Sequence, residues 1–216
     1  LLIKILLIIP FYIIAIVPCF IIRLISPWFI VRIIRLPAVN FGDFVQFAGM
    51  YYCKKEMKKN WSKKKYLDLV YIHYKDKVFN KQIAKMWKRK LNFLSGYLLD
   101  PISKINKLIP GWRIHAAEHL YEIYSSGKGN RDLDNLYEKF QPLEFTDEEE
   151  IYGKKMLNKF GLKNGDKFIC LAVRDEAYQL KKISQQYRNW SYHDFRHTDI
   201  DKFVLAAEEL AKRGYY

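Results

Sequence analysis

The chain has few cysteines and lacks several motifs that would assign a chemistry. Its 216 residues include three cysteines, Cys19, Cys53 and Cys170, which lie far apart. Separated cysteines in odd number predict neither a disulfide framework nor a zinc site, so we expect a reducing compartment. The sequence also has no Ser-His-Asp arrangement and no dinucleotide Gly fingerprint. A short Gly127-Lys-Gly129 lacks the rest of a P-loop.

Acidic pairs that would suit a metal are explained in other ways. Asp132 with Asp134, and Asp199 with Asp201, form the Asp-x-Asp pattern with which some sugar transferases hold a divalent ion. The first pair falls in a polar connector. The second falls in the first turn of a predicted helix, where acidic residues favour the helix dipole. We therefore predict no metal site and no cofactor.

Acidic residues are also scarce overall. The sequence has 37 Lys and Arg against 23 Asp and Glu, a formal charge of +14. This excess favours anionic partners, such as phosphorylated ligands or anionic lipid. Seven lysines lie within 54–65, which is either a solvated surface or a segment attracted to anionic lipid. Arginines and aromatics are too thinly interleaved there to predict nucleic-acid binding.

The N-terminus contains a long apolar run. Residues 5–22 are 18 in number and uncharged, and as a helix they would cover ~27 Å, enough to cross a bilayer core. We predict that residues 1–36 anchor the chain in a membrane. A span kinked by Pro10 and Pro18, followed by an interfacial helix over 24–36, fits this pattern. A re-entrant hairpin fits nearly as well, whereas a signal peptide lacks a cleavage site.

Positive charges predict how the chain is oriented. Lys4 alone precedes the run, and Arg23, Arg32, Arg35 and Lys54 are among the cations that follow it. The positive-inside rule therefore places the bulk of the chain in the cytoplasm, at the inner membrane.

Residues 37–145 are predicted to form a partial N-terminal α/β domain. A helix entry lies at Asn40 with Asp43 as a possible cap, and residues 66–74 are rich in β-formers. Asn80 is a good N-cap for a helix whose face carries Met86 and Trp87. We expect the Pro- and Gly-containing stretch 95–112 to be a loop with at most one short helix, and 114–124 to be helical.

Residues 146–216 are predicted to begin a second α/β domain. Thr146 and Glu149 form a capping box, and the apolar run 167–173 predicts a central strand covered on both sides. Thr198 would cap a following helix that ends at Gly214 and buries one face. That face comprises Phe203, Ala206, Ala207 and Leu210. The order helix, strand, loop, helix, strand indicates a doubly wound α/β fold.

Candidate site residues follow the predicted strand 167–173. Arg174 and Asp175 stand at its carboxyl end, where α/β proteins bind ligands, and an Arg fork suits phosphate oxygens. The alternative is an internal Arg–carboxylate pair. The next loop supplies further candidates for donor binding and two candidates for a general base. The former are Tyr178, Tyr187 and Arg188, and the latter are His193 and Asp194.

Several motifs resemble a family of bacterial glycosyltransferases associated with surface-polysaccharide gene clusters. They are Cys170-Leu-Ala-Val-Arg-Asp175, Tyr187-Arg-Asn189, the stretch from Thr198 to Gly214, and the stretch from Asn80 to Arg89. The resemblance covers roughly residues 30 to 216. It implies a two-domain GT-B-like fold and transfer of a sugar from a nucleotide-sugar donor to a glycan or lipid-linked acceptor.

Arg174 also resembles the donor-diphosphate arginine of fucosyltransferase-like enzymes. Those enzymes have His two residues earlier, where this chain has Ala172. We expect the sequence to be a piece truncated at both ends, because it begins at Leu1 and stops after a helix. The alternative function is a non-catalytic, membrane-associated protein that binds anionic lipid.

Overall fold

The computed structural model describes residues 9–57, 64–116, 135–173, 195 and 197–216. The chain divides into two compact units, Leu1–Phe145 and Thr146–Tyr216. Each unit is described by itself.

The first unit is built on a small parallel sheet. Strands β1 (Phe29–Arg35) and β2 (Lys65–Tyr71) pair in register from Phe29 with Lys65 to Arg35 with Tyr71. Two single parallel bridges extend it, Val70 with Phe93 beyond β2 and Ile33 with Ala116 beyond β1. The predicted α/β class with a parallel sheet is confirmed, and the strand expected over 66–74 is present but ends at Tyr71.

The prediction of an interfacial helix over 24–36 was wrong, because this stretch contains β1. Residues 30–34 are buried, so the strand is covered on both faces. The β-branched Ile and Val residues suit such a position. Arg32, which an interfacial helix would place at the membrane surface, is 5% exposed and inside the protein.

Two helices cover one face of the sheet. Helix α2 (Phe41–Glu56) connects β1 to β2, and α3 (Lys81–Lys90) follows β2. Their buried side chains share one core with the sheet, comprising Ile34, Leu36, Ala38, Phe44, Phe47, Ala48, Tyr51, Val70, Ala84, Trp87 and Leu91. Burial of Met86 and Trp87 was predicted and is confirmed.

The N-cap predicted for α3 is confirmed, whereas the one predicted for α2 is a different residue. The Asn80 side chain accepts a hydrogen bond from Ile83 N at 3.0 Å, so the predicted N-cap of α3 is confirmed. At α2 the N-cap residue is Asn40, whose amide donates to Asp43 Oδ2 at 2.9 Å. Asp43 lies within the first turn and holds the cap residue rather than serving as the cap.

Two other helices cover the opposite face. They are α1 (Ile9–Leu24) and α4 (Gly96–Lys107). Their core with the sheet comprises Ala15, Cys19, Ile22, Val31, Ile33, Tyr71, Leu99 and Ile102. In the part of the chain that the structure describes, no helix combines the length and the apolar character needed to cross a membrane.

The loop predicted over 95–112 is mostly helical. Helix α4 has 12 residues with Pro101 inside it, and a 3-10 helix, Trp112–His115, follows. Ser95 caps α4 by accepting from Tyr97 N at 3.3 Å. Pro101 costs one backbone hydrogen bond, which burial of Leu99 and Ile102 offsets. Of the helix expected over 114–124, residues 117–124 lie outside the described residues.

A short helix, α5 (Leu136–Lys139), packs on α2 through a close contact. Tyr137 Oη donates to Gln46 O at 3.0 Å. A Cβ added at Gly49 would lie 2.2 Å from Tyr137 Oη, so glycine is needed there to admit the ring.

The second unit begins with helix α6 (Asp147–Lys159). Its predicted capping box is confirmed, because Glu149 N donates to Thr146 Oγ1 and the Glu149 side chain accepts from Thr146 N. Gly161, with φ at +93°, follows the end of the helix in the left-handed conformation that favours glycine.

The apolar run 167–173 is not the covered central strand that we predicted. Within the described residues it pairs only with 215–216, in parallel, through Ile169 N to Tyr216 O and Tyr216 N to Lys167 O, both 2.9 Å. Phe168, Ile169 and Leu171 are about half exposed. Continuous apolar sequence predicts cover on both faces, but this stretch has a partner over only a few residues.

The last helix begins one residue later than predicted. Asp199, not Thr198, is the cap: its side chain accepts from Asp201 N at 3.1 Å at the start of the 3-10 helix Ile200–Phe203, which continues as α7 (Val204–Lys212). Gly214, with φ at +80°, ends the helix as predicted. The face predicted to be buried is instead exposed or half-buried and lines an apolar cleft with Ile169 and Leu171.

A buried ion pair joins the two strands of the first unit. Arg32 and Asp68 are opposite each other, with Nε to Oδ1 at 2.5 Å and Nη2 to Oδ2 at 2.8 Å. Tyr51 Oη also donates to Asp68 Oδ2, and the Arg32 guanidinium lies 3.9 Å from the centre of the Tyr66 ring. Burial alone would lower the pKa of Arg32, but the hydrogen bond and charge of Asp68 raise it, so the arginine stays charged.

We expect Asp68→Ala to destabilise the first unit by about 3–5 kcal/mol, because it leaves the Arg32 charge buried without its counter-ion. Urea unfolding followed by tryptophan fluorescence, to which buried Trp87 contributes, would measure the loss. The control is Glu144→Ala, which removes an exposed partner of Lys90 in the same unit and should cost less than about 1 kcal/mol. Equal effects of the two substitutions would contradict the importance of the buried pair.

Candidate functional site

The residues predicted to bind the donor or act as a base lie outside the described residues, so their roles stay predictions. They are Arg174, Asp175, Tyr178, Tyr187, Arg188, His193 and Asp194. The structure describes the segments on either side of them, 167–173 and 197–216. No group of three or more metal-ligating side chains occurs in the described ranges.

A different set of polar side chains meets at the carboxyl edge of the parallel sheet in the first unit. This edge cluster comprises Arg35, His73, Asp76, Asp100 and Lys104. Arg35 ends β1, His73 and Asp76 follow β2, and the other two lie on α4. Carboxyl ends of parallel strands meet at one edge, and ligands of α/β proteins bind outside that edge.

The cluster alternates positive and negative groups around one imidazole. Arg35 Nη2 lies 3.0 Å from Asp76 Oδ2, and Lys104 Nζ lies 2.7 Å from Asp100 Oδ2. His73 is between the two carboxylates, with Nε2 3.7 Å from Asp100 Oδ2 and Nδ1 3.9 Å from Asp76 Oδ1. Both cations are therefore paired with carboxylates.

The hydrogen bonds of His73 indicate its tautomer. The backbone N–H of Lys75 donates to His73 Nδ1 at 3.2 Å, which places the ring proton on Nε2, facing Asp100. Burial lowers the pKa of His73, Arg35 and Lys104 lower it further, and the two carboxylates oppose this only in part. The ring is therefore neutral at pH 7 and can exchange hydrogen bonds with a ligand hydroxyl.

The position of the cluster depends on a close approach of α4 to the chain after β2. A Cβ added at Gly96 would lie 2.2 Å from Ile72 O and 3.0 Å from Tyr74 N. Only glycine lets the first turn of α4 approach this backbone so closely, one residue before His73. Gly96 thus sets the distance between Asp100 and His73.

A row of rings extends from the cluster to α1. The His73 ring stacks on Tyr74 with centroids 4.4 Å apart, Tyr74 stacks on Tyr97 at 4.8 Å, and Tyr97 contacts Phe11 at 5.7 Å. Tyr97 is about half exposed. Aromatic faces beside paired donors and acceptors suit a hydroxyl-rich ligand such as a sugar better than a bare phosphate, since both cations are already paired.

A second buried imidazole lies on the far side of β1. His115 is 1% exposed, and its Nδ1 donates to Val31 O at 2.8 Å. Its Nε2 is buried without a hydrogen-bond partner, and burial lowers the pKa of His115. Because the ring has little access to solvent, we interpret it as a structural residue of the sheet edge.

Sequence reasoning missed the edge cluster for identifiable reasons. Asp100 and Lys104 fell in a stretch that we predicted to be a loop, which hid their i,i+4 spacing. His73 was taken as part of a strand. The available signal was a histidine directly after a β-rich run, at the end where ligands bind.

Comparisons of the chain with protein-family models, curated protein sequences and solved structures found no match.

We expect Gly96→Ala to destabilise the first unit by about 1–3 kcal/mol, because the new methyl group overlaps backbone that cannot move aside. Gly42→Ala is the control, since an added Cβ meets nothing within 4 Å there. It should be neutral or stabilise by up to about 1 kcal/mol. Urea midpoints of both variants test this, and a Gly96 variant as stable as the control would mean that the contact is not tight.

Acidification below about pH 6.5 should destabilise the first unit through His73 and His115. Unfolded histidine takes up a proton near pH 6.5, whereas folded His73 and His115 resist because their pKa values are lowered. Their contribution is complete above pH 6.5 and is lost as the pH falls from there towards the folded pKa values. The urea midpoint should decrease as the pH is lowered from 7.5 to 5.5. NMR should show that both rings titrate below pH 6.5. A midpoint that rises on acidification would contradict this.

Proposed function

We propose that the protein is a membrane-associated glycosyltransferase. It would transfer a sugar from a nucleotide-sugar donor to a glycan or lipid-linked acceptor in surface-polysaccharide biosynthesis. The resemblance of the motifs in 80–89, 170–175, 187–189 and 198–214 supports this proposal.

One observation of the second unit carries the proposal. The run 167–173 pairs in parallel with 215–216, and helix α7 lies between these two segments along the chain. Arg174 is the next residue in the sequence after this run. In α/β proteins, parallel pairing across a helix is typical of strand–helix–strand units, in which ligands bind beyond the carboxyl end of the first strand. In our proposal Arg174 stabilises the departing nucleoside diphosphate, on which negative charge grows in the transition state.

Other residues have roles in this proposal that follow from their chemistry. Asp175, Tyr178, Tyr187 and Arg188 shape the donor pocket. His193 and Asp194 are the candidates in the second unit for a base that accepts the proton of the acceptor hydroxyl. Neither a metal nor a cofactor is required, because arginine and helix dipoles can balance the diphosphate charge.

The first unit supports a doubly wound, GT-B-like arrangement. Its parallel-paired segments follow the spatial order Phe93, β2, β1, Ala116. Numbered along the chain, this is the order 3-2-1-4, which doubly wound nucleotide-binding sheets share. In our proposal the edge cluster of this unit faces the acceptor. The enzyme works at the cytoplasmic side of the inner membrane.

A second candidate function is non-catalytic binding of anionic lipid. The exposed apolar side chains of α1, among them Ile13, Val17 and Phe20, favour it, as does the formal charge of +14. The two functions differ in whether a nucleotide binds.

Binding of UDP, GDP, ADP and CMP to the full chain in detergent would test the transferase. We expect one nucleotide to bind selectively and Arg174→Ala to weaken it at least tenfold, or about 1.4 kcal/mol. Arg213→Ala is the matched control, because this exposed arginine of the same unit bonds along its own helix, to Glu209 at 2.9 Å. The affinity of the Arg213→Ala variant for the nucleotide should equal that of the unmodified chain.

Two outcomes would contradict the proposal, the first its transferase function and the second the role of Arg174. No selective nucleotide binding leaves the lipid-binding function as the better account. Selective binding that both arginine variants retain equally places the donor elsewhere and removes Arg174 from the site.

A further inference from the structure

Helix α1 carries two apolar faces, and among the described residues only one of them is buried against the rest of the first unit. Ala15, Cys19 and Ile22 are buried against the sheet and α4. The exposed residues of α1 include no charged side chain, since its one cation, Arg23, is half-buried. Its large apolar residues, each more than a third exposed, are Ile9, Phe11, Ile13, Ile14, Ile16, Val17, Phe20, Ile21 and Leu24. Contiguous apolar surface on this scale marks an interaction site.

Other exposed side chains extend this surface at its edges. Trp28, just beyond the end of α1, is 75% exposed, and Leu108, after α4, is 82% exposed. Arg23 ties the Leu108 turn to α1 by donating to Asn106 O, Ile109 O and Pro110 O at 2.9–3.1 Å. We call α1's exposed side chains, Trp28 and Leu108 the lipid-facing surface.

The charges around this surface have one predominant sign. The first 42 residues contain no Asp or Glu. Lys64 Nζ donates to Ser26 O at the end of α1, and Lys104 Nζ donates to Tyr12 Oη on its flank. Lys107 and Arg113 both lie within 6.0 Å of the Trp112 ring centre, beside the turn that Arg23 holds. Asp100, the acidic residue of α4, is paired with Lys104.

We propose that the lipid-facing surface lies in the plane of an anionic bilayer, with α1 inserted lengthwise rather than across it. A helix with one face fixed to a folded unit and the other wholly apolar suits the headgroup boundary. Tryptophan and cations at its margin match the interface and the anionic headgroups. A second copy of this chain, with its formal charge of +14, would bring like charges together at this margin, whereas anionic headgroups complement them. The proposal deepens the membrane-associated part of the proposed function.

The orientation follows from where α1 is attached. Burial of Ala15, Cys19 and Ile22 along the helix keeps its axis on the sheet unit, so one end cannot leave the unit to cross a bilayer. The row of rings from Phe11 to His73 would then connect the bilayer surface to the edge cluster. That geometry suits an acceptor whose lipid part stays in the bilayer while its hydroxyl-bearing part reaches the cluster.

Vesicle flotation of the full chain would test the surface. We expect binding to phosphatidylcholine vesicles that contain phosphatidylglycerol, and several-fold weaker binding to phosphatidylcholine alone. Ile13→Glu should reduce the partition coefficient at least tenfold. Ile151→Glu is the matched control, because Ile151 is also an exposed helical isoleucine, 67% against 62%, in the second unit. It should bind as the unmodified chain does.

Depth measurements separate the in-plane arrangement from a span. Nitroxide labels at Ile13→Cys, Val17→Cys, Phe20→Cys and Leu24→Cys would be placed in a Cys170→Ser background, where the other two cysteines are buried. These positions extend over ~16 Å of helix axis. An in-plane helix puts all four labels at one depth. A depth that increases steadily from one label to the next, by about 16 Å in all, would indicate a helix that crosses the bilayer and would overturn the proposal.

Two further outcomes would also overturn it. One is equal vesicle binding by Ile13→Glu and the unmodified chain. The other is the absence of vesicle binding together with a dimer in solution that Ile13→Glu dissociates. That result would assign the surface to a second copy of the chain. Nucleotide binding is independent of these measurements, so loss of the transferase proposal leaves this one testable.

Discussion

The first unit depends on one buried ion pair between neighbouring strands. Arg32 and Asp68 face each other at the centre of the β1–β2 pairing, and Tyr51 from α2 donates to the same carboxylate. A charge inside a core is tolerated only with a partner in good geometry. A slip of one residue between the strands would separate the two charges and place each against apolar neighbours. The pair therefore selects the register of the sheet, and Tyr51 ties α2 to it.

The register in turn determines where the functional surfaces lie. With β1 and β2 parallel and aligned, Arg35 and the residues after Tyr71 emerge at the same edge. Helix α4 then brings Asp100 and Lys104 to that edge through the contact at Gly96. Helix α1 packs beside α4 on the same face of the sheet, and its outer side is left exposed. Thus one sheet presents both a polar cluster and an apolar surface, joined by the aromatic row through Tyr97.

The apolar character of α1 shows how a sequence pattern can have two causes. A helix that is apolar all round predicts burial on every side or a bilayer. In this protein the inner side is apolar because it packs on the sheet, and the proposed partner of the outer side is lipid. Packing on the sheet and contact with lipid both require apolar residues, so the sequence cannot distinguish them. The segment after it, 24–36, was equally ambiguous, because isoleucines and valines serve a buried strand as well as an interfacial helix.

Local signals in the sequence predicted the elements that they directly control. Asn80 and the Thr146–Glu149 box begin helices by hydrogen bonds to neighbours three residues away, so such caps can be recognised without the rest of the protein. The strand at 65–71 and the burial of Trp87 followed from composition and spacing. The alternation of helix and strand was enough to predict the α/β class with a parallel sheet.

Tertiary structure alone decided the features that join distant residues. The sequence does not show that Arg32 pairs with Asp68, since 36 residues separate them and an arginine in an apolar run also suits a membrane interface. Nor does it show that Pro101 lies within a helix, where burial of its neighbours offsets the lost backbone hydrogen bond. The edge cluster draws on β1, the turn after β2 and α4, so its geometry exists only once the sheet register is set. By itself the sequence determined the local helix starts, the fold class and the charge. Packing determined the polar site and which side of α1 is exposed, because both depend on contacts between segments far apart in the chain.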